Sequence, residues 1–183
     1  MWLGCLALAS LCTQATERAD EPQGPVGLDV VEANFELLNS HGETVMAADF
    51  RGRHLLIAFG FTHCPHICPM TAAKMVAALQ QADTDADANA LGIFISVDTE
   101  RDTPAIVGAY AAKFGTKLLG LSGSHQQVAA AASNFKVSYA VTKTQDNYTV
   151  QHTSHLFLLD PHGDLVEVFA LTTPTATIAA AIR

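Results

Sequence analysis

Positively charged residues are scarce in this chain of 183 residues. It has 10 Lys and Arg against 18 Asp and Glu, a formal net charge of −8, and no run of basic residues. Because proteins that bind nucleic acid need a basic face to neutralise phosphates, this composition argues against a nucleic-acid partner. The same negative charge is compatible with a metal ion or another cationic ligand.

The sequence also lacks a second composition shift, an internal repeat and a low-complexity tract. It therefore predicts one domain, residues 28–183, which is a common domain size and large enough to bury a substantial core. Its apolar fraction of 49% is typical of a globular protein rather than a disordered one. Residues 16–27 are polar with Pro and Gly, and are interpreted as a linker.

Cysteines number only four and fall into two pairs. Cys5 and Cys12 lie in an uncharged apolar stretch that is too short to cross a bilayer, which takes about 20 residues. We interpret residues 1–15 as an export signal, or as an N-terminal anchor, although the usual basic residues ahead of the apolar core are missing. Export to the periplasm or to the outer face of the cytoplasmic membrane would leave Cys64 and Cys68 in an oxidising compartment, where thiols need a function or a partner.

Apolar periodicity predicts that strands and helices alternate along the chain. Thr103 is expected to cap one helix, and Ser124 with Gln127 to form the capping box of another. The expected order indicates an α/β domain with a thioredoxin-like fold, in which helices flank a central mixed sheet behind an N-terminal β-hairpin. The elements are a hairpin turning at Gly42, strands 55–61 and 91–97, helices at 69–81, after Thr103 and after Ser124, a hairpin at 155–169 and a helix at 175–182.

The segment after the first buried strand is the most informative one. It places Cys64 and Cys68 four residues apart, as C-x-x-x-C rather than the C-x-x-C of redox enzymes. Residues at i and i+4 share a helix face, with Cα atoms about 6 Å apart, which suits a disulfide or one soft metal ion. A helix start at the carboxyl end of a strand also favours thiolates. Inert buried cysteines and a purely structural disulfide are the simpler alternatives.

Two thiolates suit Cu(I), Zn(II) or iron–sulfur centres, and an added imidazole favours copper or zinc. His152 is the strongest candidate, because it precedes the predicted strand 155–159, where thioredoxin-like enzymes carry a cis-proline facing the dithiol. Here the chain has no Pro between residues 104 and 161. His155 is expected to face away from His152. The remaining candidates, interpreted as exposed loop residues, are His63 and His66.

Three separated motifs together resemble the SCO/SenC family of copper-binding proteins. They are residues 61–69 (FTHCPHICP), 96–104 (SVDTERDTP) and 148–153 (YTVQHT), and the match extends from about Leu28 to the C-terminus. The resemblance implies a thioredoxin fold and a membrane-associated factor for the assembly of cytochrome c oxidase. It further implies Cu(I) or Cu(II) bound by Cys64, Cys68 and His152.

By the same resemblance, copper would pass to the copper-centre subunit of cytochrome c oxidase, or the dithiol would reduce the cysteines of that centre. Another copper chaperone or a thiol reductant is a further expected partner. The chain departs from the family pattern at His66 and Gln151, where acidic residues are usual. Losing these charges should weaken the hold on Cu(II) more than the hold on Cu(I).

Two other functions remain open from the sequence. A thiol–disulfide reductase would use Cys64 and Cys68, as a redox-active disulfide, without needing His152. A closed zinc site would need His63 or His66 as a fourth ligand. A peroxidase of the peroxiredoxin type is disfavoured, because its pattern requires Thr three residues and Pro seven residues before the reactive cysteine. Those two positions here are Phe61 and Ile57.

The surroundings of the motif give three lesser expectations. Asp98 ends the predicted strand 91–97 beside the site and is a candidate to influence it. Residues 142–147 are expected to form a polar loop ahead of His152. The methionines expected in the core, rather than at a metal, are Met46, Met70 and Met75.

Overall fold

A computed structural model describes residues 31–83, 89–145 and 148–183. The predicted export signal and linker lie outside these residues. Among the described residues, no helix is both long enough and apolar enough to cross a membrane. The elements are β1 (Glu36–Leu38), β2 (Thr44–Met46), a 3-10 helix (Ala47–Phe50), β3 (His54–Gly60), α1 (Ile67–Ala82), β4 (Ala90–Ser96), α2 (Pro104–Ala112), β5 (Leu118–Leu121), α3 (His125–Asn134), β6 (Tyr139–Lys143), β7 (Tyr148–His152), β8 (His155–Leu159), β9 (Leu165–Ala170) and α4 (Thr175–Ile182).

Five strands form the central sheet, in the order β5-β4-β3-β8-β9. The β4 strand runs parallel to β3 and β5, whereas β8 runs antiparallel to β3 and β9, so the sheet is mixed. Strands β1 and β2 pair as an antiparallel hairpin. Its turn contains Gly42 at a φ of 78°, a conformation that favours glycine. The predicted α/β class, mixed sheet and opening hairpin are confirmed.

The core covers both faces of the sheet, because successive side chains of a strand point in opposite directions. Leu56 and Ala58 of β3 belong to a buried cluster that includes residues of α1, α2 and α4. Leu55, Ile57 and Phe59 belong to a second cluster, which includes residues of α3 and β1. A strand buried on both faces needs apolar residues at nearly every position, which explains the continuous apolar run.

The start of α1 differs from the expectation that both cysteines lie on one helical face. The helix begins at Ile67, with His66 as its N-cap residue, so Cys68 is helical and Cys64 precedes the helix. Pro69 fits within the first turn, where a backbone N–H has no partner inside the helix. The two sulfurs are therefore brought together by the bend ahead of the helix rather than by helical periodicity.

The sequence did not predict the two-stranded ribbon formed by β6 and β7. Thr142 and Lys143, the first two residues of the expected loop 142–147, belong to β6, and Tyr148, which follows that loop, begins β7. Among the residues of these two strands, Val150 alone has a buried side chain. A ribbon with so little buried surface has no alternating apolar pattern, so periodicity could not reveal it.

Two smaller features also differ from what the sequence predicted. The sequence analysis did not predict the edge strand β5, because it has only four residues and one of them is Gly120. A glycine is needed there because a Cβ would stand 2.2 Å from the Val107 carbonyl oxygen of α2. Of the three methionines expected in the core, Met75 is buried, whereas Met46 and Met70 are 45% and 68% exposed.

Candidate metal site

The dithiol lies where β3 ends and α1 begins. Cys68 is buried and Cys64 is half-buried, and both are free thiols. Cys64 Sγ accepts a hydrogen bond from the backbone N–H of Cys68 at 3.4 Å. A Cβ on Gly60 would lie 3.0 Å from Cys68 Sγ and 2.6 Å from the Phe94 ring. Glycine at the end of β3 therefore lets the Cys68 thiol pack directly against the sheet.

The two thiols differ in acidity because their surroundings differ. Burial raises the pKa of the Cys64 thiol, but hydrogen bonds from backbone N–H groups of Cys68, His66 and Ile67 outweigh it and leave that pKa below the ordinary value. Burial raises the pKa of Cys68 to about 12, despite an opposing backbone hydrogen bond from Phe61. Cys64 is therefore the readily ionised thiol, and Cys68 retains its proton until a metal or an oxidant displaces it.

His152, the last residue of β7, brings its ring to the dithiol. Its Nε2 lies 3.8 Å from Cys68 Sγ, and its Nδ1 lies 3.0 Å from the Thr153 carbonyl oxygen. A carbonyl only accepts hydrogen bonds, so Nδ1 carries the proton and the Nε2 lone pair faces the sulfur. Burial lowers the pKa of His152, which keeps the ring neutral. Phe61 packs edge-on against it, with ring centroids 6.0 Å apart.

These donors suit a soft metal ion in both chemistry and spacing. Metal–sulfur and metal–nitrogen bonds of about 2.3 and 2.0 Å, as zinc makes them, would separate the two donor atoms by about 3.7 Å at a trigonal centre. The observed distance between Cys68 Sγ and His152 Nε2 is 3.8 Å. Little rearrangement would be needed for one ion to replace the thiol proton between these atoms.

The other candidate histidines have different surroundings. His63 is exposed, and its Nδ1 lies 3.3 Å from Asp102 Oδ1. His66 is exposed at the N-cap position of α1. His155 begins β8 of the central sheet, whereas His152 ends β7 of the ribbon. The argument from alternation along one strand does not apply to this pair, because the two residues belong to different sheets, and the expectation that His155 faces away from His152 stays a prediction.

Asp102 organises the loops around the site; the sequence motif indicated a role for it in building the loop before α2, but not the contacts it makes. Its buried carboxylate accepts hydrogen bonds from the backbone N–H of Thr62 at 2.7 Å, the Thr62 hydroxyl at 2.6 Å and the Ser96 hydroxyl at 2.6 Å. These bonds tie the segment just before Cys64 to the end of β4. The chain separation of 40 residues between Asp102 and Thr62 left no local pattern to detect.

Asp98 is also fully buried, and it contacts the ribbon. Its Oδ1 accepts a hydrogen bond from the Tyr148 hydroxyl at 2.6 Å, and its Oδ2 accepts one from Arg101 Nε at 2.5 Å. Together with His63 and Asp102 it forms a cluster whose possible ligand atoms lie within 4.8 Å of one another. The carboxylates of this cluster already accept hydrogen bonds from protein donors, so it is a structural network rather than an open cation site.

Comparisons with known proteins find relatives over most of the chain. A family model described as SCO1/SenC matches residues 24–183. The mitochondrial SCO2 homolog of Mus musculus is 35% identical over 185 residues, a match that covers 100% of this chain and 71% of the relative.

Solved structures give the same result for the fold. Arabidopsis thaliana ScoI with copper bound has a TM-score of 0.76 and 31% identity, over 81% of this chain and 93% of that one. BsSco, described as a member of the Sco family of cytochrome c oxidase assembly proteins with a disulfide switch, has a TM-score of 0.63 and 27% identity, over 81% and 89% of the two chains. The predicted thioredoxin-like fold is confirmed.

Proposed function

Since this chain belongs to the SCO1/SenC family, we propose that it binds copper through Cys64, Cys68 and His152 and supplies it to cytochrome c oxidase during assembly of that enzyme. One observation carries the proposal: the unprotonated Nε2 of His152 faces Cys68 Sγ at 3.8 Å. Two thiolates and one neutral imidazole form a donor set that suits copper. The copper in the related ScoI structure supports the choice of metal.

Binding is expected to proceed from the more acidic thiol. The half-buried Cys64 is ionised first and meets the incoming ion, and Cys68 then loses its proton as the metal–sulfur bond forms. Copper binding therefore releases protons, and it is weakened as the pH falls. The acidic residues that the family usually has at His66 and Gln151 are absent, so we expect a smaller preference for Cu(II).

Delivery requires the ion to pass to other ligands. Copper is here the cargo, and the receiving partner we propose is the copper-centre subunit of the oxidase. Ile67 and Met70, on the first turn of α1, are 46% and 68% exposed and leave the approach to the dithiol open to such a partner. The predicted export signal at residues 1–15 supports action in the periplasm or at the outer face of the cytoplasmic membrane, with the N-terminus as a possible anchor.

The test is a copper titration of the reduced protein, wild type against His152→Ala. The wild type should bind one copper per chain with a thiolate-to-Cu(II) charge-transfer band, and the variant should lose that band and most of its affinity. His155→Ala is the matched control, because it removes a half-buried histidine three residues away that belongs to the central sheet. Copper binding that is equally strong in His152→Ala would contradict the proposed ligand set.

The different acidities of the two thiols favour a second candidate function, thiol–disulfide reduction. The half-buried Cys64, whose pKa is lowered, suits the attacking thiolate, and the buried Cys68 suits the thiol that resolves the mixed disulfide. A reductase would turn over a disulfide substrate at the same rate with and without His152. Loss of turnover in Cys64→Ser but not in His152→Ala would favour reduction over copper delivery.

A further inference from the structure

The ribbon that carries His152 has little apolar surface to hold it against the domain. Strands β6 and β7 pair with each other and with no strand of the central sheet. Val150 is the single buried residue among them. Segments with few buried apolar contacts open locally at low free energy. Val150 lies in the second core cluster and the partly buried Tyr139 and Tyr148 pack against it, so polar contacts must add to a small apolar anchor to keep the imidazole above the dithiol.

Near the dithiol, two short contacts secure the end of the ribbon. The backbone N–H of Thr153 donates to the Ser138 carbonyl at 2.9 Å, and the N–H of Ser138 donates to Thr153 Oγ1 at 3.2 Å. These bonds join the start of β6 to the end of β7, at the same end of the ribbon as His152. They do not attach the ribbon to the rest of the domain.

At the opposite end, Tyr148 joins the ribbon to the loop after β4. Its hydroxyl donates to Asp98 Oδ1 at 2.6 Å, and the Arg101 guanidinium carbon lies 3.8 Å from the centre of its ring. Arg101 in turn donates from Nε to Asp98 Oδ2 at 2.5 Å. Each of the three side chains thus contacts the other two. We call this group of Asp98, Arg101 and Tyr148 the latch.

The latch is costly to open because Asp98 is fully buried. A hydrogen bond to a buried carboxylate contributes more than one between neutral groups, and losing the donor leaves the carboxylate underpaired. Burial, followed by the bond to Asp98, raises the pKa of Tyr148 to about 12, so the hydroxyl remains a donor throughout the physiological range. The ring stacked under Arg101 adds a cation–π contact.

Tyr148 and His152 are the first and last residues of β7. Four residue-to-residue steps along the strand separate them by about 14 Å, so a tether at one end restrains the orientation of the other. We propose that Tyr148 is a positioning residue for the metal site, which through Asp98 and Arg101 holds the ribbon closed over the dithiol and limits how fast His152 leaves the ion. This inference rests on the proposed ligation of copper by His152.

The test substitutes Tyr148→Phe, which removes the hydroxyl and keeps the ring under Arg101. In the metal-free protein, amide hydrogen exchange in β6 and β7 should become about tenfold faster, which corresponds to about 1.4 kcal/mol. Loss of copper from the loaded protein to a competing chelator should accelerate by a similar factor. The position of the charge-transfer band should stay the same, because all three ligands are retained.

Lys143→Gln is the matched control on the same ribbon. Lys143 forms an ion pair with Glu100, in which both side chains are about half exposed, and its Nζ lies 5.4 Å from the centre of the Tyr148 ring. Exposed contacts of this kind contribute little, and the substitution leaves the Tyr148 hydroxyl and its bond to Asp98 intact. Its exchange and release rates should therefore stay near those of the wild type. If Lys143→Gln and Tyr148→Phe accelerated amide exchange and copper release equally, the latch would be overturned, because the loss of any contact of the ribbon would then have the same effect.

The remaining outcomes separate the latch from the function on which it rests. Unchanged ribbon exchange in Tyr148→Phe overturns the proposal, and so does faster exchange with unchanged copper release. Copper binding that is indifferent to His152→Ala defeats the proposed function, and the positioning role of Tyr148 falls with it. The exchange of the metal-free ribbon would still report whether the contact with Asp98 restrains it.

Discussion

Substitution of Asp102 by Ala should destabilise the fold strongly. The buried carboxylate accepts hydrogen bonds from the Thr62 backbone N–H, the Thr62 hydroxyl and the Ser96 hydroxyl. Ser96 is fully buried and Thr62 is half-buried, so water cannot fully replace the lost acceptor. A buried polar group without a partner costs about 1–3 kcal/mol; counting the Ser96 hydroxyl and the Thr62 backbone N–H, and taking the half-buried Thr62 hydroxyl as solvated, predicts a loss of about 4 kcal/mol.

Chemical denaturation of the reduced, metal-free protein measures this loss. Asp102→Asn retains one acceptor oxygen and should cost about half as much, about 2 kcal/mol. Asp164→Asn is the control, because Asp164 is exposed in the turn between β8 and β9 and should change stability by less than about 0.5 kcal/mol. A loss below about 1 kcal/mol for Asp102→Ala would refute the reasoning that these donors depend on the carboxylate.

Two further predictions concern the thiols and a buried hydroxyl. Iodoacetamide should alkylate Cys64 well before Cys68, as measured by peptide mass spectrometry. The rate of alkylation should fall as the pH drops through the lowered pKa of Cys64, because the thiolate is the nucleophile. Equal labelling of the two thiols would contradict the assigned acidities. Tyr110→Phe should stabilise the protein by about 1 kcal/mol in denaturation, because the Tyr110 hydroxyl is buried without a hydrogen-bond partner in the structure. A loss of stability in that variant would mean that the hydroxyl makes a contact after all.

Sequence reasoning recovered the parts of the fold whose signals are local. The capping box of Ser124 and Gln127 and the N-cap at Thr103 are both present, and α4 has the predicted bounds of Thr175–Ile182. The buried strands β3 and β4 lie within one residue of their expected positions. Caps and continuous apolar runs depend on neighbouring residues, which is why the sequence suffices to find them.

The sequence was less informative where structure depends on distant partners. The ribbon of β6 and β7 has almost no buried face, so it left no periodic pattern. The proximity of Cys64, Cys68 and His152 was anticipated from their motifs, and their role as metal ligands stays a prediction. The bond between Tyr148 and Asp98 joins residues 50 positions apart, and neither residue alone indicates the other.

The placement of the three proposed ligands suggests the order in which they release the metal. Cys68 is buried in the core against the sheet, and Cys64 is tied to the start of α1 through its hydrogen bond with Cys68. His152 instead ends a largely exposed ribbon, which is attached to the domain by Val150, by the partly buried Tyr139 and Tyr148, and by polar contacts. Because local opening is easiest where buried apolar contact is least, the imidazole should leave first while both thiolates keep the ion. A partner could then contribute its own ligand before either metal–sulfur bond breaks, so copper need never be free in solution.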